Sequence, residues 1–280
     1  MSQSGLDQLP GWGRRPLVMG ILNLTPDSFS DGGRLDTPEA ALRQAGRMLR
    51  QGADLLDLGA QSTRPGAGPM RPEQELERLL PALRAIRSAY PGACLSVDTF
   101  EPLVAEVALA EGADWINNVR GANPEAPAAA MARVVAASGC PYVLMHSRGD
   151  SRSMDRRASY GDLLEEVRGE LLQGTDAALA AGVRPGQILW DPGLGFAKTN
   201  DQNLELVRGL SRLRAEGFPL LVGPSRKRFI GAVLQEPRPR ARLWGTAAVC
   251  ALAVAQGVAV LRVHDVGPIA QVVRMAAALA

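Results

Sequence analysis

Eight short apolar runs punctuate the chain, and each gives way to a polar or glycine-rich segment. Val18–Leu22 runs into Asn23, Leu55–Leu58 brackets Asp57 and stops at Gly59, and Leu95–Val97 stops at Asp98. Trp115–Ile116 stops at Asn117, Tyr142–Met145 at His146, and Ile188–Trp190 at Asp191. Leu220–Val222 runs into Gly223-Pro-Ser-Arg-Lys, and Val258–Val263 into His264. Such runs predict strands near 17–23, 54–59, 94–98, 114–118, 141–146, 187–191, 219–223 and 258–263, with helix-like stretches between them. Strand–helix alternation repeated eight times predicts an α/β fold of one domain, a (β/α)8 TIM barrel over residues 17–280 behind an extension of residues 1–16. In that architecture the carboxyl ends of the strands build the active site, so the pattern predicts an enzyme.

The helix boundaries are marked as well. Thr37-Pro38-Glu39, Arg71-Pro72-Glu73 and Asn123-Pro124-Glu125 each place a proline where a first turn tolerates it. Gly52, Gly112, Gly139, Gly182, Gly217 and Gly257 follow the helical stretches, where a left-handed residue ends a helix and lets the chain turn into the next strand. Links from helix to strand are short, whereas Leu24–Asp36, Ala60–Pro72 and Ser147–Ser159 are long. All three long links fall on the face that carries the strand-end polar residues, and long loops in compact domains usually serve function.

Composition narrows the classes. The chain has 280 residues, 46% of them apolar and only 4% aromatic, so small aliphatic side chains must fill the core. Thirty-one Lys and Arg oppose 29 Asp and Glu, a balance that argues for neither nucleic acid nor membrane surface as partner. Cys94, Cys140 and Cys250 are scattered and odd in number, which predicts reduced thiols rather than a disulfide frame or zinc site. The first residues lack an apolar leader, so a cytoplasmic protein is expected. The arginine-rich stretch 148–157 reads as solvated surface.

The strand ends separate by charge. Asp98, Asn117 and Asp191 close the third, fourth and sixth runs; carboxylates accept paired N–H groups and an asparagine both donates and accepts, a set suited to the edge of a nitrogen heterocycle. Any one alone would more often cap a helix, but three at matching ends point to a site. A cationic group comprises Arg64, then Arg226-Lys227-Arg228, then Arg262 with His264. Barrels commonly hold phosphate around the seventh and eighth strands, which makes these anion ligands. His146 is read as structural. Asn23 and Asp27 offer oxygen ligands for a hard cation that shares a substrate phosphate. No G-x-S-x-G, Walker loop, H-E-x-x-H or dinucleotide fingerprint is present, so position and electrostatics rather than covalent catalysis are expected.

Several segments together resemble dihydropteroate synthases: residues 19–33, Ser62-Thr-Arg-Pro-Gly66, Val97-Asp-Thr99, Ile116-Asn117, Asp191-Pro-Gly-Leu-Gly-Phe196, Gly223-Pro-Ser-Arg-Lys-Arg-Phe-Ile-Gly231 and Arg262-Val-His-Asp-Val266. The resemblance spans nearly the whole chain in order. It implies a transferase that joins 6-hydroxymethyl-7,8-dihydropterin diphosphate to 4-aminobenzoate, by loss of pyrophosphate and attack of the arylamine on a pterin carbocation. By motif, Asp98, Asn117, Asp191 and Lys227 would hold the pterin, with Gly223 and Ser225 in the same turn. Asn23 would bind Mg²⁺ with the diphosphate, and Arg262 and His264 would hold that diphosphate. Phe29, Thr63, Arg64, Pro65 and Phe196 would close over the aminobenzoate, and Lys227, Asp98 and Arg64 would be the catalytic set. It also implies sulfonamide recognition and a homodimer through the last helices. Ala60-Gln61 departs from the usual Gly-Glu, and Asn118 stands where aspartate is frequent; both leave room for a weakly active pterin-binding paralogue. A methyltetrahydrofolate-dependent methyltransferase is the other reading, but it needs no diphosphate site.

Overall fold

The structure is a computed structural model; it describes residues 6, 9–24, 37–61, 68, 70–126 and 128–279. Eight strands alternate with helices: β1 (Leu17–Asn23), α1 (Pro38–Arg50), β2 (Leu55–Gly59), α2 (Pro72–Ala89), β3 (Cys94–Asp98), α3 (Pro102–Ala110), β4 (Trp115–Asn118), α4 (Ala129–Ser138) and β5 (Tyr142–Met145). Then come α5 (Leu163–Ala180), β6 (Ile188–Asp191), α6 (Asn200–Arg208), α7 (Leu210–Arg214), β7 (Leu221–Val222), α8 (Arg228–Leu234), α9 (Leu243–Ala255), β8 (Val260–Val263) and α10 (Val266–Leu279). The strands pair in parallel in the order β6-β5-β4-β3-β2-β1-β8-β7. A bridge between Trp190 and Leu220 joins the two ends and closes the ring. The expected (β/α)8 barrel is therefore the fold.

Strand parity decides what fills it. Alternate residues face opposite sides of a strand, and Leu17, Met19, Leu55, Trp115, Val143, Leu189, Leu221 and Val260 point inward as one buried cluster at the amino end. Their neighbours, among them Val18, Leu56, Val97, Ile116 and Leu261, point outward into the larger core beneath the helices. Residues 6 and 9–16 of the expected extension are no free tail. Leu6, Leu9 and Trp12 pack against the inner cluster, and the Trp12 ring meets Trp115 edge-on, with centroids 6.3 Å apart. Higher in the barrel the same inward parity turns polar: Asp57, Ser96, Asp98, Asn117, Asp191 and Arg262.

Local signals behave largely as read. The Thr37 hydroxyl accepts from the Ala40 amide to open α1, and the glycines after the helices lie at positive φ, Gly52 at +98° and Gly112 at +99°. One expected boundary fails. Asn123-Pro124-Glu125 is a turn, and α4 begins only at Ala129. The Asn123 carboxamide accepts from the Glu125 amide and donates to Ser147 Oγ and Gly149 O, so it ties this loop to the next one instead of capping a helix. The arginine stretch is also corrected at its first member: Arg148 is largely buried, paired with Glu166 and Glu170 and stacked over Tyr160.

Candidate active site

The inward residues at the carboxyl end form a pocket lined by Asp98, Asn117, Asp191, Phe196, Gly223, Lys227 and Arg262. Seven residues singled out from the sequence thus converge on one place. Asp98, Asn117 and Asp191 are buried. Burial pushes the Asp98 carboxyl up to about 7 against the pull of Arg262. Asp191 is raised too, by burial, although its Oδ1 accepts from the Gly193 amide at 2.8 Å. Burial likewise lowers Lys227 to about 8, with the Asp191 charge working against it. Its ammonium lies 4.5 Å from the centre of the Phe196 ring.

Arg262, expected at the diphosphate, is engaged with carboxylates on two other strands. Its Nε donates to Asp57 Oδ2 at 2.6 Å and a terminal nitrogen donates to Asp98 Oδ2 at 2.7 Å. The two carboxylates and the guanidinium form a buried strap across β2, β3 and β8. Asn117 joins it, its Nδ2 donating to the same Asp57 oxygen at 3.1 Å. Asp57 was not picked out from the sequence. The available signal was a carboxylate inside an otherwise apolar run, where a charge persists only if paired.

The cations after β7 part company for a local reason. Arg226 adopts φ of 60°, a left-handed conformation uncommon outside glycine. It is held there by paired hydrogen bonds to Asp265 and by its own amide on Thr246 Oγ1. That turn sends Lys227 into the pocket, while Arg228 pairs at the surface with Asp155. Beside it, at the rims of β7, β8 and β1, Ser225 Oγ lies 2.9 Å from His264 Nδ1, and His264 Nε2 lies 3.3 Å from Asn23 Nδ2. These three expected residues therefore come together as one chain. Phe29, Thr63, Arg64 and Pro65, with Asp27, lie outside the described residues.

The loop after β6 is pinned from below. Lys198, buried, donates to His146 Nδ1 at 2.9 Å, Phe196 O at 3.1 Å and Gly193 O at 3.2 Å. His146 Nε2 donates in turn to Glu170 at 2.9 Å. Burial first, then the Lys198 charge, lowers His146 to about 4, so it is neutral at physiological pH, and burial brings Lys198 down to about 7. Burial alone would raise Glu170, but hydrogen bonds from His146 and Arg148 outweigh it and bring it down to about 2. The turn requires glycine at 193, where a Cβ would lie 1.9 Å from the His146 carbonyl oxygen. His146 is thus structural, as read. Lys198, just before α6, and Glu170, inside α5, were missed, because a charge on or beside a helix gives no sign in sequence of being drawn under a loop.

Val119 and Phe196 also line a second, outer cleft of about 220 Å³, bordered by Gln61, Met70, Phe100, Arg120 and Arg148. The Arg120 guanidinium lies over the Phe100 ring at 3.7 Å. Among the described residues no cluster of three His, Cys, Asp or Glu side chains could hold a metal ion. No helix of the described residues is long and apolar enough to cross a membrane.

Known proteins resemble this chain in both sequence and fold. The pterin binding enzyme family matches residues 19–264. A dihydropteroate synthase of Synechocystis is 47% identical over 268 residues, covering 96% of this chain and 91% of that one. The Yersinia pestis dihydropteroate synthase, solved with a sulfonamide drug complex, superposes with a TM-score of 0.89 at 38% identity over 95% of this chain and 94% of that one. The Xanthomonas albilineans enzyme, solved with 4-aminobenzoic acid, gives 0.87 at 41% identity over 95% and 93%. By family, by length and by fold, the chain belongs to the pterin-binding enzymes and, among them, to the dihydropteroate synthases.

Proposed function

We propose that this chain condenses 6-hydroxymethyl-7,8-dihydropterin diphosphate with 4-aminobenzoate to give 7,8-dihydropteroate and pyrophosphate. The observation that carries the reading is the pocket itself. Three buried side chains with acceptor oxygens, Asp98, Asn117 and Asp191, surround a space into which, among the described residues, Lys227 and Arg262 bring positive charge. A pterin presents amine and ring N–H groups along one edge and a carbonyl beyond them, which such a floor matches in kind. Breaking the bond between the methylene carbon and the diphosphate sends its electron pair to pyrophosphate and leaves positive charge on the ring system. Buried carboxylates already oriented around that ring stabilise the charge as it develops, without reorganisation. The arylamine nitrogen then bonds to the methylene carbon and gives up a proton.

The leaving group is assigned to the Ser225–His264–Asn23 chain at the rim. Asn23 and the diphosphate oxygens would hold Mg²⁺, a hard cation that keeps several waters and takes few protein ligands. When bound, the metal neutralises the departing diphosphate. The lack of a multi-carboxylate cage among the described residues fits a metal carried in with substrate. A turnover assay decides the function: pyrophosphate release should require aminobenzoate and Mg²⁺ together. Release without aminobenzoate, or none with all components present, would refute the proposal.

A homodimer through the last helices is part of the same reading. Val233 and Leu234 on α8, Trp244 and Leu252 on α9, and Met275 and Leu279 on α10 are exposed apolar side chains on helices close in sequence. Clustered exposure of this kind marks contact surfaces. Light scattering should give twice the chain mass, and Trp244→Glu should return the monomer.

A further inference from the structure

We propose that Asp57 is a positioning residue that fixes the hydrogen-bond polarity of Asn117, and so makes the floor of the pocket select for a ring carrying an amine donor. The inference rests on the reading of this pocket as the pterin site. Asp57 is fully buried on β2, one layer below Asp98. Its Oδ2 takes two hydrogen bonds, from Arg262 Nε at 2.6 Å and from Asn117 Nδ2 at 3.1 Å. An oxygen already accepting from a guanidinium faces an amide nitrogen and repels an amide oxygen. The Asn117 carboxamide therefore cannot turn over. Its oxygen is left, buried and without a hydrogen-bond partner in the protein, as the acceptor that Asn117 offers a ligand. A free asparagine would serve donors and acceptors alike; this one is committed. A ligand that replaced its amine with a carbonyl would bring two oxygens together, and a buried polar group left unpaired is disfavoured. Asp57 does not reach the ligand in this scheme. It acts through its neighbour.

The experiment compares 6-hydroxymethylpterin with its analogue lacking the exocyclic amine, by calorimetry, in wild type, N117A, D57A, D57A/N117A and D57N. Wild type should prefer the amine-bearing ring by roughly ten-fold, the order of one hydrogen bond. N117A and D57A should each lose most of that preference, and the double variant should lose no more than either single one. D57N should regain most of it, because its carbonyl can take the place of Oδ2. A D57A protein that keeps the wild-type preference, or losses that multiply in the double variant, overturns the positioning role and leaves the pterin reading intact. Wild type that binds neither ring overturns both. If D57A does not fold, hydrogen exchange of the Asn117 side-chain amide decides between the folded wild type and D57N. It should speed several-fold in D57N, since a carbonyl is a weaker acceptor than a carboxylate; unchanged exchange refutes the role.

Discussion

Replacing Lys198 with methionine should destabilise the protein at strongly alkaline pH and flatten its response to pH. Three acceptors lose their donor: His146 Nδ1, Phe196 O and Gly193 O, all within 3.2 Å of the ammonium. Each buried acceptor left unpaired costs about 1 kcal/mol at the low end of the usual range, and a neutral amine has two N–H groups to give, so about 2 kcal/mol is lost where Lys198 is neutral in both states. The wild type meanwhile carries a penalty that the variant lacks. Lys198 drops from 10.5 to about 7 on burial, so between those values the unfolded chain holds a proton that the folded one has lost. A depressed folded value means the contribution is full above the unfolded value and is lost as pH falls through about 7. The slope is about 1.4 kcal/mol per pH unit over most of that window. The stability of K198M relative to wild type should therefore rise by about 2 kcal/mol between pH 9 and pH 7, from near parity to an advantage for the variant. Urea unfolding at pH 7, 8 and 9 measures it directly. Parallel stability–pH lines for the two proteins would show that Lys198 keeps an ordinary proton affinity, and would refute the account of the loop's support.

Asp191→Asn keeps shape but removes a charge facing the heterocycle; losing a charge-assisted pair costs about 1.5–3 kcal/mol, so calorimetry should show pterin affinity weaker by roughly one to two decades. Unchanged affinity would take Asp191 out of the pocket's work. Chelating Mg²⁺ should abolish turnover and weaken the diphosphate substrate far more than the unphosphorylated pterin alcohol, whereas equal losses would place any metal elsewhere. Trp12→Ala opens the amino end of the barrel over Trp115 and should cost about 2–4 kcal/mol of stability, seen as a lowered Tm with pterin affinity at 20 °C unchanged; an unmoved Tm would mean the segment does not seal the barrel.

The sequence made the barrel readable because parallel strands buried on both faces are continuous apolar runs, and eight of them ended on chemistry. Asp98, Asn117 and Asp191 were found the same way, from what lies at a strand's end; Lys227 and Arg262 came from the cationic grouping, and Phe196 only from the resemblance. Asp57 escaped because it sits inside its run, where the inward parity of Leu55, Asp57 and Gly59 shows only after the register against β1 and β3 is known. Glu170 and Lys198 escaped for a different reason. Their burial comes from loops folding over them, and nothing within their own segments records it. Asn123-Pro124-Glu125 carries the letters of a helix start, yet tertiary partners on Ser147 and Gly149 outbid the helix for the asparagine.

The Arg262 strap has a bearing on how such a chain can be made. Asp57 and Asp98 are synthesised long before residue 262, the one guanidinium that the structure pairs with both of them. Packing two carboxylates into the same apolar cylinder without their cation is strongly unfavourable. A nascent chain that stops short of β8 therefore has no comfortable closed form, and its early strands must stay open to water around those two positions. The ribosome releases the decisive charge almost last. Closure of the ring and assembly of the pocket floor then become one event, which disfavours half-built barrels and couples ligand occupancy to whether the ring stays shut.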